Sequence, residues 1–274
     1  MDAPQFSNQA DYYPENAYGT AYCANLAYKD SSEIFEELDN WSVSKKVFID
    51  KSTTQGFIFK KDDVIIISFR GTEVTQKSDI LADAAAIQTE AYEGRVHLGF
   101  NTAYNIVKDQ VLKTVKEYQT NNEAIIITGH SLGGALATVC AAHLISENIT
   151  PTSVYTYGQP RVGNSEFAEF YSEMSKHHYR FVNNNDVVTK VPPESVTIKG
   201  TKLSYTHVGQ QVYIKTNGDL EADTSSFNKT VDGIFGRITS AVKGDFFDGL
   251  SDHSMVNYLD ATEKNITVNP MITD

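Results

Sequence analysis

Apolar positions along the chain fall into two rhythms. Residues 55–60 and 64–70 form two apolar-rich runs separated by Lys61-Asp62-Asp63, a pattern that predicts two strands joined by a tight polar turn. Tyr18, Tyr22 and Leu26 recur every fourth residue and predict a helix over 16–29. Tyr104, Val107, Val111, Val115 and Tyr118 predict a second helix over 101–118. Residues 124–128 are continuously apolar and strand-sized, and a helix is predicted directly after them over 132–146. Further strands are predicted at 153–157, 178–182 and 207–215, and a late helix from Phe227, Val231, Ile234, Ile238 and Ala241. Strands and helices alternating through 64–185 point to an α/β fold with a largely parallel central sheet and helices on both faces. Neither a repeat nor a linker divides the sequence, so residues 1–274 are expected to form one domain.

Composition narrows the function. The 274 residues are 41% hydrophobic and 21% charged, a globular balance able to bury a core without staples. With 23 basic against 35 acidic side chains the net charge is −12, which disfavours nucleic-acid and anionic-membrane partners but leaves neutral lipids and esters open. No apolar run approaches the length of a membrane-spanning helix. Cys23 and Cys140 are the only cysteines. Without clusters or a C-x-x-C spacing, no metal site is expected. Cys140 sits in an Ala-rich helical stretch and is expected to be buried; a bridge to Cys23 stays open, and the redox compartment with it. The first residues, MDAPQFSNQADYYPE, carry neither a basic start nor an apolar segment and do not form a signal peptide. The N-x-T triplets at Asn148, Asn228 and Asn265 decide little.

Chemistry concentrates at AIIITGHSLGGALATVCAAHLI, where an apolar strand runs through Gly129-His130-Ser131-Leu132-Gly133 into a helix. A G-x-S-x-G in that setting is a sharp bend that lifts a serine hydroxyl out of the sheet edge, over a helix N-terminus rich in free N–H groups. Ser131 is the candidate nucleophile. Serine needs a base, usually a histidine oriented by a carboxylate, and on such a scaffold the order along the chain is serine, acid, histidine. Of seven histidines, His177, His178, His207 and His253 follow Ser131 beyond its helix. His253 is favoured over His207, because it lies in a late loop, Ser251-Asp252-His253-Ser254, just before a helical run. Asp186, after the strand at 178–182 and the turn Asn183-Asn184-Asn185, is the candidate carboxylate, with Glu194 as the alternative. An oxyanion needs two N–H donors. Leu132 supplies one by position, and Thr72, after the strand at 64–70, is the candidate for the other.

The segments FRGT (69–72), VHLGF (96–100), ITGHSLGGALA (127–137), YTYGQPRVGN (155–164), YRFVNNNDVVTKVPP (179–193) and SDHSMVNY (251–258) together resemble the class 3 lipase family of α/β hydrolases. The resemblance implies an α/β-hydrolase fold and a serine carboxylic ester hydrolase acting on acylglycerols and other fatty-acid esters through an acyl-enzyme, with no cofactor. It implies Ser131, Asp186 and His253 as the catalytic triad and Thr72 and Leu132 as the oxyanion hole. It also implies a short lid at about 73–95, where Ile80, Leu81, Ala84 and Ile87 fall at helical spacing. Ile80 and Leu81 are then candidate substrate-binding residues. So are Phe246, Phe247 and Leu250 before the histidine, which ordinary core packing would explain equally well. The several disulfides of the fungal members are missing here. A phospholipase A1, a feruloyl-type esterase, a non-catalytic lipase-like scaffold and acyl transfer to an alcohol remain alternatives. Secretion with the leader absent from this chain is favoured, and a cytoplasmic location stays open. The partner implied is a small-molecule or lipid ester met at a lipid interface; oligomeric state is not legible.

Overall fold

The structure, a computed structural model, describes residues 3–72, 87–198, 200–222 and 251–267. Helix α1 (Pro14–Leu26) starts with proline, whose fixed φ suits a first turn. In α2 (Ser31–Asn40), Asp30 and Glu33 form a reciprocal capping box. Strands β1 (Lys45–Lys51), β2 (Thr54–Lys61) and β3 (Val64–Phe69) follow as an antiparallel meander. A hairpin of β4 (Gln88–Ala91) and β5 (Gly94–His97) leads into α3 (Leu98–Asn105) and α4 (Lys108–Tyr118). Next come β6 (Ala124–His130), α5 (Leu132–Ser146), β7 (Ser153–Tyr157), α6 (Ser165–Met174) and β8 (His178–Asn183). A small hairpin, β9 (Ser195–Ile198) with β10 (Thr201–Ser204), precedes β11 (Gln210–Ile214), β12 (Leu220–Ala222) and α7 (Met255–Lys264).

Eight strands form one sheet in the order β1-β2-β3-β6-β7-β8-β11-β12. The run β3-β6-β7-β8-β11 is parallel. The chain has the α/β-hydrolase fold. Successive side chains of a strand point to opposite faces, and here both faces are covered. Ile65, Ile67 and Phe69 of β3 join one core with Ile125, Ile127 and residues of α3 to α6, while Val64 and Ile66 join the other with Phe57, Ile126 and residues of α1, α2 and α7. That double burial is why these strands read as unbroken apolar runs.

Several expectations need correction. The single helix over 101–118 is two, α3 and α4, because Ile106-Val107 breaks it; Val107 turns into the core with its N–H on the Tyr104 carbonyl at 2.9 Å. Paired β-branched residues are poor helix formers and fit that break. The end of the expected lid range is a hairpin, with Tyr92 and Glu93 at φ 51° and 59° in its turn and Gly94 packed on Phe167. Residues 88–95 are therefore part of the body. Cys23 and Cys140 are both buried free thiols on opposite sides of the sheet, which excludes a bridge. The strand expected at 207–215 is shorter, Gln210–Ile214, and α2 and β1 were not anticipated. The helix expected from Phe227 to Ala241, and residues 73–86 of the expected lid, lie outside the described residues.

Candidate active site

Four parallel strands end on the same edge of the sheet, and each delivers one part of the site, as α/β sheets do. Ser131, between β6 and α5, has φ 58° and ψ −126°, a backbone conformation that few non-glycine residues hold. Tight packing enforces it. A Cβ on Gly133 would fall 2.3 Å from the Phe69 carbonyl oxygen, and one on Gly129 would fall 2.3 Å from the Gly133 carbonyl carbon, so neither position accepts a side chain. The Ser131 N–H donates to the Tyr157 carbonyl at 2.9 Å, which ties the bend to the end of β7. Leu132 is the first residue of α5, where backbone N–H groups have no partner within the helix. Gly71 follows β3, and a Cβ there would stand 3.3 Å from the Ser131 Cβ, so exposed Thr72 continues a loop packed against the bend.

Asp186 and His253 meet 2.8 Å apart, Oδ2 to Nδ1, with the carboxylate fully buried and the imidazole 4% exposed. A carboxylate accepts, so Nδ1 carries the proton, and in the neutral ring Nε2 is the acceptor. Nε2 has no hydrogen-bond partner among the described residues. The other Asp186 contacts are a donated Val188 N–H on Oδ1 at 2.8 Å and the Tyr258 hydroxyl on Oδ2 at 2.5 Å. Burial, then the charge of Asp186, pushes the Tyr258 phenol well above its ordinary pKa, which keeps it a donor. The loop before His253 is held by three asparagines. The side chain of Asn183 donates to the Asp252 carbonyl, and the side chain of Asn184 and the N–H of Asn185 donate to its carboxylate, at 2.8, 3.1 and 3.1 Å. Gly158, next to Tyr157, has φ +59°, and a Cβ on it would lie 2.8 Å from Asp186 Oδ2 and 2.9 Å from His253 Cε1. The acid–imidazole pair thus sits across the end of β7 from Ser131. The serine–imidazole bond is open, as is common before substrate arrives.

The less favoured candidates have other partners. His207 donates from or accepts at Nε2 against Thr189, where the carbonyl oxygen can only accept, so its Nε2–H is the donor at 2.8 Å. Glu194 pairs with Arg161 at 3.3 Å, His178 lies between Thr156 and Tyr171 hydroxyls, and His177 faces Asp11. Tyr258, which donates to Asp186, is a contact that sequence reasoning missed. Its type and spacing carry no signal of it, since it falls at an ordinary core position of a helix. Ile80, Leu81, Phe246, Phe247 and Leu250 lie outside the described residues.

Residues 66–196 match the family model described as Lipase (class 3). That segment, just under half of the chain, is similar to the class 3 lipase family. Among curated proteins similar to the chain, the secreted mono- and diacylglycerol lipase A of Penicillium cyclopium is 30% identical over 177 residues, covering 63% of this chain and 54% of that protein. The secreted mono- and diacylglycerol lipase 1 of Fusarium solani is 37% identical over 142 residues, covering 51% and 40%. The chain spans about half the length of the curated relatives it matches. Among solved structures, a Rhizomucor miehei lipase–propeptide complex superposes with a TM-score of 0.61 at 25% identity, covering 82% of this chain and 81% of that one.

Proposed function

We propose that this protein is a serine carboxylic ester hydrolase that cleaves acylglycerols. Ser131 is the nucleophile, His253 the base, Asp186 its orienting carboxylate, and the N–H groups of Thr72 and Leu132 the oxyanion donors. The observation that carries the reading is the buried Asp186–His253 pair, whose Nε2 has no partner among the described residues, across the end of β7 from a serine held at positive φ. In the first half-reaction His253 Nε2 takes the hydroxyl proton as Ser131 Oγ bonds to the ester carbonyl carbon. The carbonyl oxygen becomes an oxyanion facing the two N–H groups, each worth about 3 kcal/mol at that moment. Collapse breaks the bond to the alcohol, which leaves with the proton from His253. Water then attacks the acyl-Ser131, giving a proton to His253, and the acid departs as the serine recovers that proton.

Acylglycerols are favoured over other esters by the names of the Penicillium and Fusarium relatives, and the same names support export of this chain. A lipid ester would be met at an interface. Hydrolysis of mono-, di- and triacylglycerol emulsions and of p-nitrophenyl esters tests the reading. Ser131→Ala is expected to lower kcat by about a millionfold. A labelling site for an organophosphonate on any residue other than Ser131 would overturn the assignment.

A further inference from the structure

The residue before the nucleophile makes two bonds that the hydrolytic cycle does not require. His130 closes β6 and is buried, and its ring lies over that of His253, with centroids 4.5 Å apart and planes at 30°. Its Nε2 stands 2.8 Å from the His253 carbonyl oxygen. A carbonyl only accepts, so the proton is on Nε2. Its Nδ1 stands 2.7 Å from the Tyr28 hydroxyl, beyond the end of α1. In a neutral ring protonated at Nε2, Nδ1 is an acceptor, so Tyr28 donates. Three segments far apart in sequence, at 28, 130 and 253, are joined through one imidazole.

We propose that Tyr28 and His130 are a positioning pair that latches the loop carrying His253 to the strand carrying Ser131. The proposal rests on the triad reading above. A loop entering the site from residues 251–254 has Asp252 tied to the asparagine turn on one side. The His130 bond holds the other side, on the backbone of His253 itself. Both residues act through His253. The tautomer matters, because only a donor at Nε2 can hold a carbonyl, and Tyr28 selects that tautomer by occupying Nδ1. Charge matters as well. When His253 takes the serine proton it becomes a cation under the His130 ring, and a second cation there would oppose it. Burial first, and then the charge of His253, push the His130 pKa well below its ordinary value, while the bond to the His253 carbonyl works the other way. The ring stays neutral.

Two measurements test the latch. In the wild-type protein at pH 7, long-range nitrogen–proton NMR of labelled histidines should find the His130 proton on Nε2 with Nδ1 bare; a proton on Nδ1, or on both, overturns the proposal. This readout involves no ester and stands even if the protein hydrolyses none, which would sink the hydrolase reading instead. The second measurement compares His130→Phe, which keeps a stacked ring but no donor, with His130→Gln, whose side-chain amide replaces the Nε2–H. On a soluble short-chain ester, His130→Phe should lower kcat by about 10- to 100-fold with KM within about twofold, as expected of a displaced base. It should slow organophosphonate labelling of Ser131 by the same factor. His130→Gln should recover most of that loss, and Tyr28→Phe should fall between. Unchanged kcat in a folded His130→Phe, or a Gln variant no better than Phe, overturns the latch.

Discussion

The nucleophile bend and the acid–imidazole pair occupy the same edge of the sheet but are held in opposite ways. Ser131 is held by backbone sterics, with Gly129 pressed on the Gly133 carbonyl and Gly133 on the Phe69 carbonyl of β3 so closely that no other residue fits. Beyond the local Val188 N–H on Asp186, the acid–imidazole pair is held by hydrogen bonds between segments 65 or more positions apart, through Tyr258, the three asparagines and His130. A steric device is rigid. A hydrogen-bonded device is assembled only after the fold has formed, and it breaks one bond at a time.

That contrast gives graded expectations. Asp186→Asn, which leaves the geometry but favours the wrong imidazole tautomer, should cost about 10⁴ in kcat with little change in KM, measured on a soluble ester. Gly133→Ala drives a methyl into the Phe69 carbonyl and should destabilise the protein by about 3 kcal/mol or more in urea titration; a mild effect would break the steric half of the comparison. Acidification probes the buried histidines. Burial holds His130 and His207 well below 6.5 and His178 down to about 3, so below pH 6.5 the unfolded chain binds protons that the folded protein refuses. Stability should then fall with pH by roughly 1.4 kcal/mol per unit for each such histidine, seen as a dropping urea midpoint. Tyr258→Phe removes one donor from a buried carboxylate and should cost about 2 kcal/mol of stability, with a measurable loss of kcat. Asp252→Asn, which keeps an acceptor but loses its charge, should cost about 1 kcal/mol, the smallest effect of the set. If it matches Tyr258→Phe in kcat, the loop contributes as much to placing His253 as the carboxylate's own partners do.

Much of the architecture was legible because the central strands are covered on both faces and therefore apolar throughout, and because α5 follows β6 without a gap. The failures have local causes. The β4–β5 turn places Tyr92 and Glu93 at positive φ, residue types that seldom adopt it, so no Asn-Gly or Asp-Gly signal marks the hairpin. The α3–α4 break keeps the apolar spacing of one helix on both sides, so the pattern along the chain does not mark it. In α2 the capping box at Asp30 and Glu33 was present in the sequence, but Ile34 and Leu38 are its only fully buried side chains, too few to stand out as a stripe.

Chain order and residue type pointed to Ser131 and favoured Asp186 over Glu194 and His253 over His207, because a strand–bend–helix is encoded within about twenty contiguous residues and the remaining choices were few. The meeting of Asp186 with His253 at 2.8 Å, the partners that orient them, the separation of Cys23 from Cys140 by the sheet and the tie from Tyr28 through His130 were decided by tertiary structure. Those relations join positions tens to over a hundred residues apart, and a hydrogen bond leaves no periodic trace in a sequence: it depends on where folding brings two atoms, and a tyrosine that packs a core looks the same along the chain as one that holds a carboxylate.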